Sequence, residues 1–419
     1  MSLMQRIAVS PEAHPTTENA SDGATSDVAV TIVMPCLNEI QSLLHCIGNA
    51  RAALDQLRIS DGLTGEIVIA DNGSTDGSQQ MATMLGARVV DVSRRGYGAA
   101  LIGGCEAARG RFILMGDCDG SYDFTEGVAM VRKLDQGHDL CMGSRFLGGI
   151  APGAMPWKNR YIGNPALSGI LNLFFRSGIG DAHCGLRAIR KDAFHRLHLT
   201  GSGMEFASEM VIKASLLKLR MAEVPATLSV DLRERAPHLR PWRDGWRHLR
   251  YLFMLSPTWV FGAPALAAFL IGLIVMAAAL AAALGLSTSK FFGDSWTVIG
   301  AMLVAVGHIA SVMVLASHLY GVRQGYRLPK AWMTRWRPLL SLEGWLIAGA
   351  TSILTSIVAL AGVGIYWGQE GFGALSSVLP VTLAGLFGVV GLQTVLGGFL
   401  LAVLGGNEAE FLPAVKDAR

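Results

Sequence analysis

Cysteine is scarce in this chain, and charge is nearly missing from long stretches of its second half. The six cysteines (Cys36, Cys46, Cys105, Cys118, Cys141, Cys184) all fall in the first half and form no Cys-x-x-Cys pair. That argues against a zinc site or a disulfide framework and for reduced thiols that serve packing. The first 26 residues hold neither a long apolar core nor a basic start leading to a small-residue cleavage site, so nothing there is expected to export the domain behind it. Only 16% of residues are charged against 51% hydrophobic, and the mean hydropathy is +0.40, which is too apolar for an average soluble protein. The net charge of +3 is modest. The basic residues gather beside apolar segments, so anionic lipid head groups are expected partners and nucleic acid is not.

At 419 residues the chain exceeds one ordinary domain, and it divides in two. Residues 27–240 mix charged and apolar residues, whereas 258–404 are mostly Ala, Leu, Val, Ile and Gly. Four runs, at about 258–284, 297–319, 345–366 and 378–404, are each long enough to cross roughly 30 Å of hydrocarbon as a helix. The linker with Arg323, Arg327, Lys330, Arg335 and Arg337 is strongly basic, while those around Lys290/Asp294 and Glu370 are nearly uncharged. The excess of Lys and Arg in cytoplasmic loops puts the basic linker, the N-terminal domain and both chain ends, including a tail at 405–419, in the cytosol. The expected location is the cell's inner membrane. His308 is the one unexpected ionisable residue within the runs, and a neutral ring bonded to a neighbouring helix is expected for it. The glycines of GLFGVVGLQTVLGGFL imply close helix packing, within one chain or between subunits of a homo-oligomer.

The first 26 residues, rich in Ser, Thr, Ala, Asp and Pro, read as a disordered tail. Beyond them lie three strand-loop-helix units, their strands at Val28–Met34, Glu66–Ala70 and Arg88–Val92. Such alternation implies a parallel sheet with ligands at the carboxyl ends of its strands. A fourth strand, Phe112–Met115, runs into Gly116-Asp117-Cys118-Asp119-Gly120. Two carboxylates one residue apart at a strand end can face one crevice, where hard oxygen ligands suit Mg²⁺ or Mn²⁺ and leave positions for phosphate oxygens. An Asp-x-Asp alone is common in solvated turns, and here its position supports the reading.

Together VTIVMPCLNE, IVIADNGSTDGS and FILMGDCDGSYDF resemble glycosyltransferase family 2. MGSRF (Met142–Phe146) and DAHCGLRAIRK (Asp181–Lys191) resemble its polyprenyl-phosphate branch, which includes dolichyl-phosphate mannose and glucose synthases. The likeness spans roughly residues 28–257. It implies an α/β GT-A domain (Rossmann-like, mostly parallel sheet), here cytosolic and followed by an α-helical transmembrane domain of four helices. It also implies a nucleotide-sugar donor, a polyprenyl phosphate acceptor and an inverted anomeric centre.

Carried over motif by motif, the resemblance puts Pro35, Asn38 and Glu39 at the base and ribose, with Asp71 and Ser74 nearby. The family often has two acidic residues where this chain has Ala70-Asp71, which leaves uridine versus guanosine open. Asp117 and Asp119 would hold the metal. Ser121 stands where some relatives have a metal-binding Gln, so a water or Asp123 would complete the shell. Arg145 and Arg187 are candidates for the acceptor phosphate, because a guanidinium fork matches phosphate oxygens; a structural ion pair is the alternative for each. Asp181 is expected to face the site rather than cap a helix. Glu205 and Glu209 share a helix face where they could orient an arginine or sugar hydroxyls, and Glu209 matches the family pattern well.

Arg233, Arg235, His238 and Arg240 precede the membrane where related synthases have a basic loop over the phosphates; a solvated linker is the plain alternative. Residues 241–257, as a helix, would stack Trp242, Trp246, Leu249 and Phe253 beside a face of Arg243, Arg247 and Arg250, the pattern of an interfacial amphipathic helix. Trp157–Arg176 is a second interfacial candidate, explained almost as well by core burial. Competing functions are transfer to another lipid, which would need a general base, and a non-catalytic flippase or scaffold. A processive polysaccharide synthase is disfavoured, since the QxxRW motif is absent.

Overall fold

The computed structural model describes residues 28–233, 241–286, 293–375 and 377–412. The expected N-terminal tail, Arg235, His238, Arg240, Lys290 and the last seven residues lie outside the described residues. Seven strands form one sheet: β1 (Val30–Cys36), β2 (Gly65–Asp71), β3 (Arg88–Asp91), β4 (Phe112–Met115), β5 (Leu140–Ser144), β6 (Arg187–Arg190) and β7 (Met221–Pro225). Their order is β3-β2-β1-β4-β6-β5-β7. All neighbours run parallel except β6, which is antiparallel to β4 and β5.

The continuous apolar runs of β1 and β4 arise because both sheet faces are covered. With side chains alternating between faces, Val30, Ile32 and Met34 join Phe112 and Leu114 in one core layer. Val33, Ile113 and Met115 enter the other. The first strand is displaced two residues from the expected Val28–Met34 and contains Pro35. It pairs with β2 through Cys36 but with β4 only as far as Val33. Pro35 therefore lies beyond the reach of β4, where a missing N–H is tolerated.

The second half carries four helices long and apolar enough to cross a membrane: Thr258–Ala283, Asp294–Arg323, Leu342–Gln369 and Leu379–Gly405. The first packs on the second, the second on the fourth and the fourth on the third. The glycine-rich stretch works within the chain here: a Cβ on Gly391 would run into the Gly349 backbone of the third spanning helix. His308 Nε2 is 3.0 Å from Thr394 Oγ1 on the fourth helix, which gives the ring its partner.

Helix Pro241–Met254 occupies the expected interfacial segment. It buries His248 and Leu252 and leaves Trp246, Phe253 and Met254 exposed. Residues 157–176 divide between both readings, with Trp157, Tyr161, Ile162 and Leu173 exposed while Leu171 is buried. Exposed aromatics beside the first spanning helix are what a lipid-water boundary selects.

Candidate active site

β1 has β2 on one side and β4 on the other, so the chain departs in opposite directions from their carboxyl ends and leaves a crevice there. A cavity of about 740 Å³ opens at that point, lined by Pro35, Glu39, Asp117, Asp119, Arg145, Arg187 and Arg233 among others.

Asp117 and Asp119 come directly after β4. Asp119 Oδ1 accepts hydrogen bonds from the Ser121 N–H (3.0 Å) and hydroxyl (2.6 Å), and its Oδ2 lies 3.1 Å from an Arg233 nitrogen. Asp117 Oδ1 is buried without a hydrogen-bond partner among the described residues. A Cβ on Gly185 would collide with Asp117 Oδ2 and the Tyr122 ring, so glycine lets the DAHCGLRAIRK segment close over the carboxylate pair. Burial pushes the Asp117 carboxyl up from 3.8 to about 6; the Asp119 charge adds to this, while the Tyr97 hydroxyl, Arg233 and Arg187 oppose it. The site thus concentrates negative charge beside an unsatisfied oxygen, which is the setting a divalent cation relieves. Asp123 is turned elsewhere, accepting from Thr125 and Asn49 at a helix start.

Arg233 binds both oxygens of Glu39 through Nε, at 3.0 and 3.1 Å, while its other arm holds Asp119. The two expected nucleotide loops are stitched together: the Asn38 N–H donates to Ser74 Oγ at 2.9 Å and the Thr75 N–H to Asn38 Oδ1 at 2.8 Å. Asn38 sits at φ 59° to do so. Asp71 is buried and accepts from the Gly73 and Ser74 N–H groups and from Gln79. Pro35 and Glu39 therefore line the cavity, whereas Asn38, Asp71 and Ser74 shape the loops that wall it.

Arg145 and Asp181 form a fork-to-fork pair, Nε–Oδ2 and Nη2–Oδ1 both 2.7 Å, with the Arg145 N–H adding a third bond at 3.0 Å. Asp181 caps no helix, but it is held by arginine rather than free to act as a base, and Arg145 is committed to the pair that was its structural alternative. Arg187 differs. It is buried at the start of β6, bonded to the carbonyls of Cys184 and Ala207. Its Nε has no partner and no carboxylate pairs with it among the described residues.

The glycosyl transferase family 2 pattern matches residues 31–197, and that of the family's C-terminal transmembrane region matches 315–405. The low-salt glycan biosynthesis hexosyltransferase Agl6 of Haloferax volcanii is 34% identical over 391 residues, covering 91% of each chain. The chain belongs to glycosyltransferase family 2. Two further relatives from that organism are the glycosyltransferase AglJ, 28% identical over 70% of this chain and 90% of the relative, and a dolichyl-phosphate hexose transferase, 30% identical over 49% and 84%. This family 2 glycosyltransferase is a hexosyltransferase with a membrane-spanning C-terminal region.

Glu209 lies outside the cavity lining. It is fully buried away from the cavity, accepting from the Thr200 and Gly201 N–H groups and pairing with Lys213 at 2.7 Å. A carboxylate on a helix face that packs inward meets its partners locally, and Glu209 thereby braces the loop before its helix. Glu205 likewise turns to the nearby Gly203 N–H.

Motif reading alone missed Asn72, Arg95, Tyr97, His183 and His248, all of which line the cavity. Asn72 holds the turn after β3, accepting from the Gly96 N–H at 2.7 Å and donating to the carbonyls of Val92 and Arg94. The clue lay in Arg94-Arg95-Gly96-Tyr97, a basic, glycine-bearing turn at the carboxyl end of a third parallel strand.

The raised Asp117 carboxyl bears on stability. A group whose folded-state pKa is raised contributes fully below its unfolded value of 3.8, and that contribution is lost as pH rises through about 6. Above that, the ionised Asp117 carboxylate weighs against folding. Asp117→Asn in this glycosyltransferase should therefore raise the melting temperature of the metal-free protein at pH 7.5, with the gain shrinking toward pH 4.5. A variant that melts lower than wild type at pH 7.5 contradicts the assignment.

Proposed function

We propose that this glycosyltransferase transfers one hexose from a nucleotide sugar, UDP- or GDP-linked, to a polyprenyl phosphate, with inversion at the anomeric carbon. The observation that carries the reading is the Asp117/Asp119 pair at the end of β4, in a cavity that also holds Arg187 free of any carboxylate partner among the described residues. A Mg²⁺ or Mn²⁺ ion on Asp117 and Asp119 would neutralise the charge that develops on the departing diphosphate. Asp117 and Asp119 orient the donor, Pro35 and Glu39 border its nucleoside, and Arg233 adds positive charge beside them. Arg187 holds the acceptor phosphate, with Arg145 and Asp181 positioning the neighbouring loops. A phosphate oxygen attacks the anomeric carbon from the face opposite the leaving group, the new C–O bond forming as the bond to the nucleoside diphosphate breaks.

A lipid monophosphate, with a second pKa near about 6, is already anionic at pH 7 and needs no general base. An alcohol acceptor would need one, and Asp181 is engaged by Arg145. This favours the phosphate over a diacylglycerol or other lipid alcohol. Gly245 and His248 of the interfacial helix border the same cavity, which supports an acceptor whose tail remains in the bilayer. We place the transferase domain on the cytosolic face of the inner membrane, the side of the basic linker.

Membranes holding the enzyme, incubated with labelled UDP- and GDP-hexoses and polyprenyl phosphate, should yield a labelled lipid that is β-linked when the donor is α-linked. Label incorporation into no lipid, or an α-linked product, defeats the proposal.

A further inference from the structure

A second cavity, of about 240 Å³, is walled by Phe174, Arg176, Ser256, Thr258, Trp259 and Arg327. It is separate from the active-site cavity: that one takes Asn164 and Leu167 from the start of helix Asn164–Phe175, this one residues from its end. Its height in the membrane is set by two of its walls. Thr258 begins the first spanning helix, and Arg327 lies just past Arg323, where the second ends. Both mark the membrane face that carries the transferase domain.

Arg327 is only 8% exposed. Its side chain bonds the Leu255 carbonyl, and among the described residues no carboxylate pairs with it. A guanidinium buried without a counter-charge costs several kcal/mol unless an anion joins it. Arg176 opens onto the same cavity and has no side-chain partner among the described residues. Beside the two cations, Phe174 stacks on Trp259 with centroids 5.5 Å apart and planes 16° from parallel, and Leu173 is 59% exposed. Cations and hydroxyls on one side with aromatics at the bilayer boundary on the other match a phosphate that carries acyl chains.

We propose that this cavity binds the head group of an anionic bilayer phospholipid, with Arg327 and Arg176 on its phosphate and Trp259 and Leu173 against its glycerol and upper acyl chain. Arg327 also holds the last turn before the membrane at Leu255, so the lipid braces the helix whose His248 borders the active site.

The test uses the full-length protein in detergent, supplied separately with phosphatidylglycerol, phosphatidylcholine, inorganic phosphate or polyprenyl phosphate, with retained lipid counted by native mass spectrometry. One phosphatidylglycerol per chain should persist and raise the melting temperature, phosphatidylcholine should not persist, and millimolar inorganic phosphate should not displace the lipid. Arg176→Ala, which removes no side-chain hydrogen bond or ion pair among the described residues, should weaken phosphatidylglycerol binding about tenfold; Arg327→Lys should weaken it as well while keeping a donor for Leu255. Equal retention of phosphatidylcholine, displacement by inorganic phosphate, retention of polyprenyl phosphate alone, or wild-type binding by Arg176→Ala overturns the proposal.

Discussion

Asp119→Ala should lower hexose transfer by about 10³-fold or more, roughly 4 kcal/mol of lost transition-state stabilisation, while the protein stays folded and membrane-bound. The fold should survive because the substitution strands no buried cation: Arg233 still binds both oxygens of Glu39. Initial rates with saturating donor, measured beside membrane sedimentation and a melting curve, separate loss of chemistry from loss of protein. Activity within tenfold of wild type, in a variant that still binds nucleotide, would remove Asp119 from the metal role. Rates should also fall on chelation and recover with added Mg²⁺ or Mn²⁺, and indifference to chelation would contradict the same role.

Asp181→Ala should destabilise the protein by about 3–5 kcal/mol, because it leaves the Arg145 guanidinium buried and unpaired. The two side chains, Arg145 and Asp181, are 9% and 0% exposed, so water offers little relief. Adding Arg145→Met to Asp181→Ala should recover part of the loss, since it removes the stranded charge. Melting curves of wild type, both single variants and the double variant measure this as a coupling energy. If the double variant lost the sum of the single effects, the pair would not be a structural clasp. A free catalytic base at Asp181 would instead give loss of rate with little change in melting.

Much of the fold was legible because it is written locally. The β-branched run of β1 and the apolar run of β4 declare buried strands within four to seven residues. The carboxylate pair declared itself through its place directly after β4. Strands β5 to β7 were less legible. β6, which begins at Arg187, runs antiparallel between β4 and β5, a pairing no short segment encodes. The Asn72 and Arg95 contribution to the cavity was hidden for a similar reason: it depends on the turn after β3 closing against the loop after β2, so neither stretch shows it alone.

By itself, the sequence determined the two-part architecture, the four spanning helices, the family and the Asp117/Asp119 pair, since each depends on composition or spacing over a short window. Only the tertiary structure decided which charges meet. Arg145 faces Asp181 across 36 residues and Arg233 faces Glu39 across 194, while Glu209 turns into the core to Lys213 and the backbone of Thr200 and Gly201. A charged side chain reaches only a few ångströms. Its partner, and with it the difference between a catalytic group, a clasp and a prop, is set by the path of the whole chain.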